Sequence, residues 1–416
     1  MYINYEKIGS ILKFGKDFFY NKKIEQNCAY IKQNIKKVKQ KLKNKKQLIV
    51  AFYVYDDAKW KSQSVYDLME KDERFIPYIF VTKNAAPKNN FNYQTIDEIK
   101  KVYDFFITAG MNTKLAYDLE KNRYIAFEQM NPKPDIIIYQ HPWYVETSQG
   151  PVVCSKFALT YYIPYFISDS EKSFEYDLRF HKYIYKHYVP NNIVKNFYSE
   201  NMKNKGSNLV TTGHPQLDYF YLHKNSNQEK KYLIYAPHWS VCGNNIRYST
   251  FDWSGYKILE YAKKHPELNW IFKPHPNLYK FLFTSGYMSK KQADEYYSSW
   301  ENIGIVCNNG NYLDLFTQSY AMITDSGSFL NEYLLTKQPL IHLESEYFCG
   351  NISVKKICDT YYTAKTPQEL DNLLENIVIK KQDPKLLQRL ELIKDFGWEN
   401  NFCAKKILND ILTDFT

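Results

Sequence analysis

Between residues 47 and 167 the chain repeats one unit, a short apolar run rich in β-branched and aromatic residues followed by a longer stretch with helical spacing. The runs QLIVAFYVY (47–55), FIPYIFVT (75–82), VYDFFITAG (102–110) and DIIIYQH (135–141) lack polar alternation, as expected of strands covered on both faces in a parallel sheet. The stretches SQSVYDLMEKD and NTKLAYDLEKN read as helices opened by Ser or Asn. With a further run at LTYYIPYFI (159–167), this alternation predicts a doubly wound α/β unit.

A tyrosine-rich crossing segment, FHKYIYKHYVPNNIVKNFYSEN, interrupts the alternation, which then restarts. Its second set of runs is SNLVTTGHP (207–215), KYLIYAPHW (231–239), LNWIFKPHP (268–276), NIGIV (302–306), YAMITDS (320–326) and QPLIHLE (338–344). Two Rossmann-like units facing a central cleft are therefore expected. At 416 residues and 44% hydrophobic, the chain can fill two cores. The expected divisions are a helical arm at 1–46, a first doubly wound domain at 47–200, a second at 201–385, and C-terminal helices at 386–416 that cross back to the first.

The seven cysteines are scattered and never form C-x-x-C, so they read as reduced thiols. No apolar stretch is long enough to span a bilayer, and the N-terminus lacks a signal-peptide core, which points to the cytoplasm. The net charge of +10 is concentrated in residues 1–46, which hold 13 lysines against Glu6, Asp17 and Glu25. The rest is formally neutral, which argues against a nucleic-acid groove through the body. Within the arm, Ile8, Ile11, Leu12, Phe14, Phe18 and Phe19 recur at near-helical spacing, and Ile31, Ile35, Val38 and Leu42 form a second stripe. Two readings fit: a basic amphipathic arm on the anionic inner membrane face, or a helical hairpin packed on the body with its lysines in water.

Doubly wound sheets bind ligands where strands end. Four of the nine histidines stand there beside proline: Gln140-His141-Pro142-Trp143, Gly213-His214-Pro215, Pro237-His238-Trp239 and Lys273-Pro274-His275-Pro276. A neutral imidazole there takes a proton from a hydroxyl; a protonated one holds a phosphate oxygen. His342 and Glu344 share a strand face without a third ligand nearby in sequence, so a metal site is not indicated.

The stretch MITDSGSFLNEYL (322–334) joins a strand to a helix through Asp325, Ser326, Gly327 and Ser328. Such a turn presents unpaired N–H groups, a helix N-terminus and hydroxyl donors to an anion. The competing reading is that Asp325 or a serine simply caps the helix.

Together these motifs resemble the CDP-glycerol glycerophosphotransferase family of teichoic acid and capsule-polymer enzymes. Thr324, Asp325, Ser328, Glu332, Tyr333 and Leu334 fall on its T-D-Y-S-S-x-x-x-D-Y-L type segment, with departures at Ser326, Gly327 and Glu332. Lys273, His275 and Pro276 match R/K-x-H-P; Tyr235, Ala236, Pro237 and Trp239 match a YAPTW-like strand end; Gly213, Pro215 and Asp218 match a G-Y-P-R-x-D-like turn. In the first domain only His141 corresponds to the family's W-H-G-T-P end.

The resemblance implies a GT-B architecture, a CDP-linked alditol phosphate donor, a polysaccharide or lipid-linked glycan acceptor, and a peripheral place on the inner membrane face through residues 1–46. It implies that Ser326, Gly327 and Ser328 hold the donor pyrophosphate and Glu332 the ribose. His275 would bind phosphate and aid departure of CMP, and His141 would deprotonate the acceptor. Lys273, Asp325, Pro237, His238, Gly213 and His214 complete the implied donor site. No cofactor is obligatory, and nothing calls for a divalent cation. Three alternatives use the same residues: a UDP-GlcNAc 2-epimerase, whose T-D-S-G-G-x-Q-E-E segment TDSGSFLNE also resembles; a nucleotide-sugar glycosyltransferase; and a non-catalytic scaffold on the membrane face.

Overall fold

The computed structural model describes residues 5–90, 93–168, 170–223, 229–241, 247–307, 312–399 and 402–415, with side chains from residue 22 onward. The first half carries β1 (Leu48–Val54), β2 (Phe75–Val81), β3 (Thr113–Leu115), a small hairpin of β4 (Tyr117–Asp118) and β5 (Arg123–Tyr124), then β6 (Ile136–Tyr139), β7 (Leu159–Tyr162), β8 (Lys186–Val189) and β9 (Leu209–Thr211). The second half carries β10 (Tyr232–Ala236), β11 (Trp270–Phe272), β12 (Ile305–Val306), β13 (Ser319–Thr324), β14 (Leu340–Leu343) and β15 (Tyr362–Ala364).

Seven strands form one sheet in the order β3-β2-β1-β6-β7-β8-β9, and six form the other in the order β12-β11-β10-β13-β14-β15. Every strand pairing in both sheets is parallel. Alternate residues fill cores on opposite faces: Val50, Phe52 and Val54 lie on one side of the first sheet, and Ala51, Tyr53 and Tyr55 on the other. Leu233 and Tyr235 oppose Ile234 and Ala236 in the second sheet in the same way. The strand order reverses direction between β1 and β6, and again between β10 and β13, which makes a ligand-accepting crevice at each place.

Four segments differ from the expectation. VYDFFITAG lies mostly in a helix (Ile96–Thr108) that buries Ile99, Val102 and Phe106 and opens with a capping box of Thr95 and Glu98. Residues 112–122, expected as a helix, instead supply β3 and β4, because the preceding helix already fills that crossover. The run at 207–215 places β9 beside β8 in the first sheet, not in the second. The crossing segment itself contains β8 and a helix, Asn192–Asn201.

The N-terminal arm is one helix, Tyr5–Leu42, not a hairpin. Ile31, Val38 and Leu42 are buried, Ile35 packs beside the core, and most lysines from Lys22 to Lys46 face solvent. Asn34 Nδ2 donates to Ser155 Oγ at 3.1 Å, tying this half to the first domain. The side chains of Ile8, Ile11, Leu12, Phe14, Phe18 and Phe19 lie outside the described residues. The C-terminal helix Cys403–Leu412 sends Ala404, Ile407, Leu408 and Ile411 into the core of the first sheet. No helix among the described residues is long and apolar enough to cross a membrane.

Candidate active site

Gln140 and His141 follow β6 at the crevice of the first sheet. The His141 ring is 0% exposed, stacked on Tyr55 with centroids 4.1 Å apart and flanked by Tyr165 at 5.2 Å. The Lys59 ammonium lies over both tyrosine rings, at 5.7 and 5.4 Å. Burial, aided by Lys59, drives the His141 pKa well below the usual histidine range, so the imidazole is neutral. Among the described residues neither of its nitrogens has a hydrogen-bond partner.

In the second sheet Pro237 and His238 follow β10, while Asp325 and Ser326 follow β13 beside it. The Asp325 carboxylate accepts from the His238 N–H at 2.5 Å, the Thr250 N–H at 2.7 Å and the Thr250 hydroxyl at 3.2 Å. Burial raises its pKa to about 6 against the pull of these donors. Asp325 is thus a positioning group for His238 and does not cap the following helix. That helix, Gly327–Tyr333, has no side-chain cap at Ser326; the Ser326 and Ser328 hydroxyls lie 3.4 Å apart at its start.

Lys273 and His275 follow β11, and the His275 N–H donates to Pro237 O at 3.0 Å, which sets its ring 5.5 Å from that of His238. A backbone N–H can only donate, so the Asn277 N–H, 3.1 Å from His275 Nδ1, makes Nδ1 an acceptor and leaves the ring proton on Nε2. The Ser240 N–H fixes His238 in the same tautomer. Burial pushes the pKa of His275 down to about 3 and that of His238 to about 4.

The two crevices are joined through Lys61, Gln216 and Tyr312, which the sequence motifs did not flag. Lys61, after β1, donates through Nζ to Tyr312 Oη at 3.2 Å; Gln216 Nε2 donates to the same oxygen at 2.8 Å; and Tyr312 donates to Glu332 Oε2 at 2.8 Å. Gln140 Oε1 accepts from the Lys61 N–H at 3.2 Å. His141 therefore connects through Gln140, Lys61 and Tyr312 to Glu332, and the Lys273 ammonium lies 5.5 Å from the centre of the Tyr312 ring. Lys61 was open to discovery by the strand-end rule, whereas Tyr312 carries no sequence signal of its role.

Gly213 and His214 are used differently from the donor-site expectation. His214 Nε2 lies 2.7 Å from Pro164 O and its Nδ1 accepts from the Gln216 N–H, so both nitrogens are engaged. Gly213, at φ +85°, lets the C-terminal helix approach so closely that a Cβ would fall 2.3 Å from Cys403 Sγ. Asp218 accepts from the Cys403 and Ala404 N–H groups at 2.6 and 2.9 Å. The turn is a clasp for the returning helix. Among the described residues, no group of His, Cys, Asp and Glu could hold a metal ion.

Two parallel doubly wound sheets, joined at their crevices and tied by a returning C-terminal helix, define a fold of the GT-B type. Solved structures of this shape include S. aureus MnaA with UDP, at 12% identity and TM-score 0.58, covering 89% of this chain and 98% of that one. UDP-GlcNAc 2-epimerase from Neisseria meningitidis, bound to UDP-GlcNAc, is similar at 15% identity and TM-score 0.51, with 88% and 99% covered. A variant of the wall teichoic acid polymerase TagF, soaked with CDPG, is similar at 14% identity and TM-score 0.54 over 100% of this chain and 98% of that one. No curated protein matches the sequence significantly. The chain belongs to the CDP-glycerol:poly(glycerophosphate) glycerophosphotransferase family, which matches residues 34–347.

Proposed function

We propose that the protein transfers glycerol phosphate, or a related alditol or sugar phosphate, from a CDP-linked donor to a hydroxyl of a teichoic-acid-like or capsule glycan and releases CMP. The observation that carries this reading is His141, a buried neutral imidazole with both nitrogens free at the crevice of the first sheet. Among the described residues His181, His187 and His342 each leave one ring nitrogen unpartnered while His141 leaves both, and a general base awaiting an acceptor hydroxyl accounts for that.

In this mechanism the acceptor oxygen attacks the distal phosphorus in line while His141 takes its proton. The bond from that phosphorus to the bridging oxygen breaks, and its electrons leave with CMP. The His275 Nε2–H, the Lys273 ammonium and the Ser326 and Ser328 hydroxyls stabilise the equatorial and leaving oxygens. The basic arm at 1–46, which contains the helix Tyr5–Leu42, would bring the enzyme to a membrane-bound acceptor at the inner face.

The deciding experiment incubates the protein with CDP-glycerol, other CDP-linked alditols and UDP-GlcNAc, with and without a teichoic-type or capsule-type acceptor. CMP release that requires acceptor supports the proposal, and His141→Ala should abolish it with donor affinity nearly intact. Interconversion of UDP-GlcNAc at C2, or UDP release to an acceptor without any CMP, would replace it by an epimerase or a glycosyltransferase.

A further inference from the structure

Lys61 and Lys273 approach one aromatic ring from different domains. Their ammonium nitrogens lie 4.9 and 5.5 Å from the centroid of Tyr312. Lys273 is only 6% exposed and, among the described residues, its ammonium has no hydrogen-bond acceptor, only the rings of Tyr312 and, at 5.9 Å, Phe329. Lys61 uses a single donor, on the neutral Tyr312 hydroxyl. Glu332 takes the proton of that same hydroxyl, and Asp56, the other carboxylate acting on Lys61, is already paired with Lys59 at 2.9 Å. With Asp56 matched by Lys59, the two desolvated cations Lys61 and Lys273 share Glu332, which leaves a positive charge uncompensated in a part-buried place. Gln216 Oε1 beside them is also buried without a partner.

We propose that Lys61 and Lys273 form a two-cation subsite for a diphosphate, complete only when both domains contribute, and that Tyr312 is the acceptor holding Lys61 in place until that anion arrives. Each ammonium brings three donors, so a diphosphate satisfies charge and hydrogen bonds that the protein leaves open. On its arrival Lys61 exchanges a neutral phenol for an anionic oxygen, and the first domain gains a direct grip on a ligand cradled by the second. The inference rests on the proposed donor only for the identity of the diphosphate.

The test is calorimetric titration of the full chain with inorganic pyrophosphate. Lys61→Met should weaken binding at least tenfold and lower the salt dependence by about one ion. Lys61→Arg should retain most of the affinity, and Tyr312→Phe, which frees Lys61, should bind as tightly as wild type or more so. Pyrophosphate affinity unchanged in Lys61→Met, no binding by the wild type, or a loss in Tyr312→Phe equal to that in Lys61→Met would each overturn the subsite; melting curves of all three variants establish that they are folded. CMP release from CDP-glycerol, run in parallel, separates the two readings. Lys61-dependent pyrophosphate binding without CMP release removes the proposed reaction and keeps the subsite; CMP release with Lys61-independent pyrophosphate binding does the reverse.

Discussion

Replacing His141 with phenylalanine should make the protein more stable and inactive at once. The neutral imidazole places an N–H and a lone-pair nitrogen in the interior, and neither has a partner. An unsatisfied buried polar group costs about 1–3 kcal/mol, so the pair together costs ~2–6 kcal/mol. Phenylalanine removes that cost, keeps a ring for Tyr55 at 4.1 Å and Tyr165 at 5.2 Å, and adds some volume. Overpacking takes back about 1–3 kcal/mol. Taking the middle of each range, the balance is a gain of about 2 kcal/mol, which raises Tm by a few degrees in a protein of this size. Turnover, followed as CMP release, should fall by about 10²–10⁴ if the imidazole is the base. Scanning calorimetry and the CMP assay on one preparation test both halves. A lower Tm would mean that the ring is satisfied in solution, and an undiminished turnover would remove His141 from the chemistry.

Three further outcomes are expected. The pH profile of kcat/KM should show one acid limb near pH 6, from Asp325, because His275 and His238 titrate at about 3 and 4. Since folding raises the Asp325 pKa, its ionised form withdraws stability as pH rises through about 6; acidification to pH 5 therefore costs activity without costing stability at this group, and a flat rate profile down to pH 5 refutes the assignment. Gly213→Ala combines φ +85° with a Cβ 2.3 Å from Cys403 Sγ and should cost about 2–4 kcal/mol in denaturant unfolding, part of it recovered by Cys403→Ala; additive effects would mean the two do not touch. Asp414 joins Lys39, Lys186, Tyr161 and Tyr185, and although burial pushes its pKa up, these partners outweigh it and hold the carboxyl below the usual range. Its stabilisation is thus present above the ordinary carboxylate pKa and lost as pH falls through the folded value: Asp414→Asn should lower stability by ~3 kcal/mol at pH 7 and by progressively less toward pH 3.

Composition reveals buried strands because a parallel strand covered on both faces is apolar throughout, as β1, β2, β6 and β10 are. The same cue misleads at VYDFFITAG, where Phe105 and Ile107 stay 47% and 46% exposed and so mimic a continuous apolar run. The informative signal there was local, Thr95 and Glu98 at capping-box spacing. Sheet membership is a different matter. Nothing within SNLVTTGHP says whether β9 pairs with β8 or with β10, because that depends on partners far along the chain. The strand-end rule singles out the positions of His141, His238, Lys273, His275 and Ser326 to Ser328, and all of them lie just after strands at the two crevices. The task of Asp325 was not legible, since Thr250, whose N–H donates to its second oxygen, lies 75 residues away in sequence.

The histidine pKa values also decide how the proposed leaving group departs. For His275 to act as an imidazolium acid at pH 7, a bound anion would have to lift its pKa from about 3 by roughly 4 units, or ~5 kcal/mol at about 1.4 kcal/mol per unit. The ring is half-buried, so solvent screens part of any such gain. The leaving group does not require it: the oxygen freed from a pyrophosphate bond belongs to a phosphate monoester whose second pKa is about 6, so CMP departs without a proton. In the proposed mechanism His275 therefore serves as a neutral hydrogen-bond donor through Nε2–H, in the tautomer that Asn277 already enforces. The positive charge opposing the diphosphate then has to come from Lys61 and Lys273, and only one of those two lies in the domain that carries the serine cradle. In the proposed mechanism catalysis thus depends on the two domains meeting at Tyr312, and a variant that binds CDP-glycerol through the second domain alone should hold the donor without transferring its phosphate.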